Sequence, residues 1–232
     1  MRFSQPLIGG RLIRRYKRFL VDVRLDDGRV VTAHTNNTGA MIGCATPGVR
    51  VWLSHSQNPT RKLPYTWEIT TSGRAYVAIN TLRANHLVEE AIRGGRVPEL
   101  AGYASLSREV RLGERRIDLC LDDARRGRCW VEVKNVTLAD GRTARFPDAV
   151  SARGRAHLET LQAARARGER AVMFYLVARG DCDRFAPAWA IDPDYSETMV
   201  RAARAGVELY AYRSRVRRHG VLVTEPLAVS LR

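Results

Sequence analysis

An acid and a base stand two residues apart in CWVEVKNV, residues 129–136: Glu132 and Lys134. Cys129, Val131 and Val133 alternate with Trp130, Glu132 and Lys134, the period of a β-strand, in which successive side chains point to opposite faces. One face is then apolar, and the other carries an indole, a carboxylate and an ammonium in a row. Fourteen residues upstream of Glu132, in RRIDLCLDD, Asp118 interrupts a second apolar strand. Strict alternation there puts Ile117, Leu119 and Leu121 on one face and Asp118 with Cys120 on the other. If the two strands are antiparallel neighbours, Asp118, Glu132 and Lys134 project to one point. Burying three ionisable groups together is costly unless they pair or hold a cation. A hard divalent cation relieves that cost: Mg²⁺ typically takes one or two carboxylates, several waters and the phosphate oxygens of a substrate. A neighbouring lysine can hold or deprotonate the attacking water and offset charge building on phosphorus. Asp, followed by Glu-x-Lys on the next strand, is the set that metal-assisted phosphodiester hydrolysis calls for. The plainer alternative is a Glu–Lys pair on a solvent face. The apolar setting of both strands argues against it.

These residues need elements to position them, and the chain changes grammar near residues 80–85. Before that point RFLVDVRL and RVVTAHT flank the Asp26-Asp27-Gly28 turn, VRVWLSH follows Pro47-Gly48, and YTWEITT and RAYVAIN flank Ser72-Gly73. Five short, closely spaced strands predict a small OB-like barrel, although an SH3-like barrel or a small sandwich gives a similar pattern. After it, RANHLVEEAIRGG carries Leu87, Val88, Ala91 and Ile92 at helical spacing, with Asn85 as a candidate N-cap and Gly94-Gly95 as a stop. Strands are predicted near 106–112, 116–122 and 129–136, then a helix over roughly 150–167 and the apolar strand AVMFYLV. A further helix and strand follow, and VLVTEPLAVSLR reads as an added strand pair. Helices interleaved with strands in this way predict a mixed sheet covered by helices. The expected fold class is α+β, with an N-terminal barrel over residues 1–82 and a helix-flanked mixed sheet over 83–232.

Composition narrows the partners. The 232-residue chain carries 39 basic against 24 acidic residues, a formal net charge of +15. Such a surplus attracts polyanions, nucleic acid first among them. Only Lys17, Lys62 and Lys134 are lysines and the other 36 basic residues are arginines, a skew that reflects coding bias and makes each lysine notable. The early arginines leave no apolar signal segment, and no apolar run is long enough to cross a bilayer. Cys44, Cys120, Cys129 and Cys182 form no CxxC pair and read as reduced thiols, so a cytoplasmic location is expected. No Gly-rich phosphate loop, Ser-His-Asp set or HExxH motif points to other enzyme classes.

Asp118 and Glu132-Val-Lys134 after an acidic helix resemble the PD-(D/E)xK nuclease core. The continuation is more particular: EVKNVTL, FPDAVSARGRAHL (146–158), AWAIDPDYSETM and GVELYAY. In that order, over nearly the whole chain, they resemble the sugar fermentation stimulation protein (SfsA) family. The resemblance implies an OB-fold domain joined to a restriction-endonuclease-like domain, nucleic-acid binding, and an association with sugar-utilisation genes. Carried over by position, it makes Asp118 and Glu132 metal ligands for Mg²⁺ or Mn²⁺ and Lys134 the catalytic lysine. The acid of the first helix falls on Glu90, with Glu89 as the alternative. Asp148 and Arg153 are then candidates to line the site, with Arg153 suited to a phosphate. His157, one turn on, is either a site residue or a surface histidine. Toward the N-terminus RRYKRF and TNNTGAM differ from the family's usual stretches but keep basic and hydrogen-bonding character. Arg15, Lys17 and Arg18 beside Tyr16 and Phe19 fit an OB surface that mixes cations with stacking rings, although Phe19 reads better as core. His34 and Asn36 (with Asn37) contact the nucleic-acid backbone or shape a turn.

Three functions fit: a metal-dependent nuclease, a non-catalytic DNA-binding transcriptional accessory protein, and an RNA-binding or RNA-processing factor. All share nucleic acid as partner, DNA ahead of RNA.

Overall fold

The computed structural model describes residues 1–232. Its first sheet comprises β1 (Ile8–Tyr16), β2 (Leu20–Leu25), β3 (Val30–His34), β4 (Arg50–His55), β5 (Tyr65–Ser72) and β6 (Ala75–Ala78), in the order β3-β2-β1-β4-β5-β6. A parallel pairing of β3 with β5 (Ala33 with Tyr65, His34 with Thr66) closes the first five into a barrel, and β6 extends β5. The barrel has the expected number of strands but a different membership. β1 belongs to it and β6 stands outside the ring. Residues 8–16, IGGRLIRRY, hide as a strand because two glycines and three arginines blur the alternation, with only Gly10 and Leu12 buried. Inside the barrel Leu12, Val21, Val23, Val51, Leu53 and Trp67 pack together.

The second sheet has nine strands: β7 (Ser105–Leu112), β8 (Arg115–Asp123), β9 (Gly127–Val136), β10 (Leu138–Asp140), β11 (Thr143–Phe146), β12 (Arg170–Val177), β13 (Arg184–Pro187), β14 (Glu208–Arg217) and β15 (Gly220–Val229). The order is β10-β11-β13-β15-β14-β12-β9-β8-β7. Parallel pairs (β9 with β12, β12 with β14) mix with antiparallel ones, so the sheet is mixed as expected. The C-terminal segment forms one strand, β15, antiparallel to β14, in place of the expected pair.

Helices α1 (Ala84–Arg93), α2 (Ala152–Ala166) and α3 (Pro193–Arg204) cover the sheet. On α1, Ala84, Leu87, Val88, Ala91 and Ile92 recur at three- and four-residue spacing and make one apolar stripe. That stripe packs with Leu119, Val131 and Val133 of the sheet and with Trp52 and Ile69 from the barrel. On the other face Leu158, Leu161 and Ala164 of α2 and Tyr195 and Met199 of α3 pack against Trp130, Met173 and Tyr175.

The barrel and sheet are joined by a polar knot. Glu68 of β5, 2% exposed, receives both ends of the Arg83 guanidinium at 2.6 Å, the Asn80 amide at 3.0 Å and the Ser54 hydroxyl at 2.8 Å. Asn80 Oδ1 in turn accepts the Leu82 backbone N–H and the Asn36 amide, so Asn80, not Asn85, caps the turn that starts this region.

Candidate active site in the interdomain cleft

β9 presents its side chains as its alternation requires. Cys129, Val131 and Val133 join the core on the α1 face, while Trp130 and Val136 join the core on the α2 face. Glu132 and Lys134 share that second face, and Lys134 Nζ donates to Glu132 Oε1 at 2.5 Å. Glu132 is 2% exposed. His157, from α2, is also buried, and its Nδ1 lies against Glu132 Oε1 without the alignment of a hydrogen bond. The second carboxylate oxygen of Glu132, Oε2, is buried with no partner. Burial works against its charge, but His157 and Lys134 outweigh it and hold the carboxyl below its ordinary pKa.

β8 departs from strict alternation at Asp118. Leu119 and Leu121 face α1, whereas Ile117 packs on the α2 side, so the three do not share a face. The reversal comes where regular pairing is interrupted: Arg108 pairs with Leu119 and Val110 with Ile117, while the intervening Glu109 adopts a left-handed φ of 56°. Asp118 therefore leaves the sheet plane and turns to the β9 backbone. Its Oδ2 accepts the Val133 N–H at 2.8 Å, and its Oδ1 accepts the Asn85 amide of α1 at 2.8 Å. Burial first, and the charge of Glu132 second, push its pKa up to about 6, against the pull of these donors and Lys134.

Asp118, Glu132, Lys134, His157, Arg153 and Asn36 line one cleft of about 650 Å³ between barrel and sheet. The barrel's contribution is the loop at Asn36–Gly39, which Asp148 clasps by accepting the Met41 N–H at 2.8 Å. A Cβ on Gly39 would come within 2.6 Å of the Asp148 carboxylate, so a larger residue there would push that side chain off the Met41 N–H.

The remaining sequence candidates lie elsewhere. Glu90 points to a different, larger cleft of about 1050 Å³, where it pairs with the Met1 amino group at 2.7 Å and Arg96 at 3.1 Å. Glu89 pairs with Arg93 and Arg108. The helical residue that reaches Asp118 is Asn85, a neutral amide. Arg15 spends its guanidinium on the carbonyls of Arg18, Asn37 and Gly39, and so braces the cleft loop without lining the cleft. Lys17 and Arg18 form an exposed turn with left-handed backbone, and His34 lies 6.1 Å from the Phe19 ring, which is itself exposed. None of these three lines the cleft. Among the charged and amide residues of the cleft, Asn85, Glu109, Arg116 and Arg145 were not candidates of the motif reading.

The donor set suits a hard divalent cation. It offers a buried, ionised carboxylate with an orphan oxygen, and a second carboxylate held nearby at a cost that a cation would remove. No group of three acidic, histidine or cysteine side chains is positioned to hold a metal, so protein carboxylates could fill only part of the coordination shell.

Comparison with known proteins agrees with this architecture. A family profile described as "SfsA N-terminal OB domain" matches residues 13–79, and one described as "Sugar fermentation stimulation protein RE domain" matches residues 82–220. A sugar fermentation stimulation protein homolog of Geobacter metallireducens is 52% identical over the whole of both chains. A homolog from Paramagnetospirillum magneticum is 51% identical, over 100% of this chain and 98% of its own. The solved structure of Pyrococcus furiosus SfsA in complex with Ca²⁺ superposes with a TM-score of 0.91 at 28% identity, covering 99% of this chain and 98% of that one. The chain belongs to the sugar fermentation stimulation protein (SfsA) family.

Proposed function

We propose that this protein is a nuclease that cleaves phosphodiester bonds of nucleic acid, DNA ahead of RNA, with Mg²⁺ or Mn²⁺ held by Asp118 and Glu132. The observation that carries the reading is Glu132: ionised and buried, with one oxygen beside Lys134 and the other without a partner. The relative from Pyrococcus furiosus was solved with Ca²⁺, which supports a hard-cation site in the same fold. When bound, such a cation polarises the phosphodiester and lowers the pKa of coordinated water.

The chain's own residues do the rest. Glu132 is kept in place by Lys134 on one side and by the His157 ring on the other. Lys134 holds the attacking water and offsets negative charge that builds on the phosphate oxygens. Asn85 and the Val133 N–H fix the Asp118 carboxylate, and Arg153 and Arg116 at the cleft wall suit phosphate oxygens. The +15 net charge draws the polyanion in, and the barrel loop at Asn36–Gly39 closes one side of the cleft. Four free, buried cysteines suit the reducing cytoplasm, where such a substrate is met.

The competing reading is a non-catalytic DNA-binding accessory protein that acts on sugar-fermentation genes. The contact between Lys134 and Glu132 favours it, since an amine that neutralises its neighbouring acid also makes a stable closed pair. Lys134→Ala separates the two. The nuclease reading expects cleavage of labelled DNA or RNA to be lost while binding persists. Binding by both proteins, with cleavage by neither under Mg²⁺ or Mn²⁺, supports the accessory reading.

A further inference from the structure

On β9 the side chain preceding Glu132 on the same face is Trp130. It is 2% exposed, and its Nε1–H has no acceptor. The indole lines a cavity of about 580 Å³ that shares no residue with the catalytic cleft. Around it stand Arg111 and Arg115 from the β7–β8 hairpin, Arg128 at the start of β9 and Arg167 just past α2. Among the lining residues only Glu114 and Glu169 are acidic, Glu169 is already held by Arg167 at 3.0 Å, and Asp122 sits across the β8–β9 ladder from Arg128. Indole and guanidinium nitrogens donate hydrogen bonds and do not accept them. A cavity with surplus cation, lined in part by an indole whose buried N–H lacks an acceptor, suits an anion that carries several oxygens, and guanidinium geometry matches phosphate.

The cavity continues the catalytic cleft along three elements, β8, α2 and β9. Arg116 lines the cleft and its neighbour Arg115 lines the cavity. On α2, Arg153 and His157 line the cleft, and Thr160, one turn further on, lines the cavity. Along β9, Trp130 is two residues from Glu132, roughly 7 Å at the rise of a strand.

We propose that this cavity is a second phosphate-binding subsite, built by Trp130 and the four arginines, which takes a backbone phosphate next to the one in the catalytic cleft. The polymeric source rests on the nuclease reading. A free phosphorylated small molecule offers the same chemistry, and the test distinguishes the two.

The experiment compares the wild type, Trp130→Phe and the Arg115→Ala/Arg128→Ala double variant with two probes, inorganic pyrophosphate and a labelled DNA oligonucleotide. Lys134→Ala is placed in every background so that the strand stays intact. Arg115 and Arg128 are exposed, so the double variant keeps its fold, and circular dichroism checks that Trp130→Phe does. Trp130 reports occupancy as the part of the fluorescence response that Trp130→Phe lacks. A polymeric ligand makes the salt slope of DNA binding, in log–log form, shallower by about 1.4 for single strands or 1.8 for duplex in the double variant. A free phosphorylated ligand makes pyrophosphate alone saturate the Trp130 response, with the DNA slope unchanged. If pyrophosphate saturates the site while DNA does not bind the parent protein, the subsite stands and the nuclease reading falls. Equal slopes, with no Trp130 response to either probe, overturn the proposal.

Discussion

Asp118→Asn should make the metal-free protein more stable at neutral pH. The Asp118 carboxyl has its pKa raised from 3.8 to about 6, because it is buried and faces the charge of Glu132. A carboxylate whose pKa is higher in the folded chain than in the unfolded one opposes folding whenever it is ionised. The penalty is absent below about pH 4, grows through pH 6 and is complete above it. At 1.36 kcal/mol per pH unit, the shift is worth roughly 3 kcal/mol against the fold at pH 7. Asparagine removes that charge and keeps the geometry, since its Oδ1 can accept the Val133 N–H and the Asn85 amide can turn its oxygen toward the new NH₂ group. Urea and thermal unfolding in EDTA, at pH 7 and again at pH 5 and 4, measure the effect. The variant should gain about 3 kcal/mol at pH 7, or roughly 6–12 °C for a chain of this size. The gain should shrink through pH 6 and vanish near pH 4. A variant equal to or weaker than wild type at pH 7, or a gain that persists unchanged at pH 4, refutes the reasoning.

Further expectations follow from other contacts. Arg83→Ala leaves the buried Glu68 without its bidentate partner and should cost about 3–5 kcal/mol in urea unfolding, whereas Glu68→Gln/Arg83→Met should recover most of that loss. Arg116→Ala and Arg153→Ala should each flatten the salt dependence of nucleic-acid binding by roughly one ion; unchanged slopes would remove them from the phosphate path. Glu90→Gln should leave metal-dependent cleavage within about twofold of wild type, because Glu90 faces a different cleft, and a loss of 10²-fold or more would return it to the site.

The parts of the site that were legible in the sequence are those governed by the period of a strand. Glu132 and Lys134 share the polar face of β9 because every second residue does, and the antiparallel neighbour brought Asp118 to them. The helical acid was not legible in the same way. An apolar stripe shows which side of α1 is buried, but not which flank of that stripe opens on the cleft, and Asn85 occupies that flank where an acid was sought. The turn of Asp118 out of the sheet depends on the left-handed backbone at Glu109, which an ordinary glutamate does not announce. In the barrel, β1 is held by backbone pairing to β2 and β4 while arginines occupy its outer face, so its ladder was invisible to a side-chain pattern. Arg15 looked like a phosphate ligand by composition. Its role is set by three carbonyls of loops distant in sequence or turned back on the chain.

The central claim is tested most directly by a single-turnover assay on labelled single- and double-stranded DNA and RNA. Wild type and Glu132→Gln are compared in Mg²⁺, in Mn²⁺ and in EDTA. The account predicts cleavage by wild type with either metal, none in EDTA, and a loss of at least about 10²-fold in Glu132→Gln. Cleavage that continues in EDTA, or that survives Glu132→Gln undiminished, would contradict it, as would binding of every substrate without a cut.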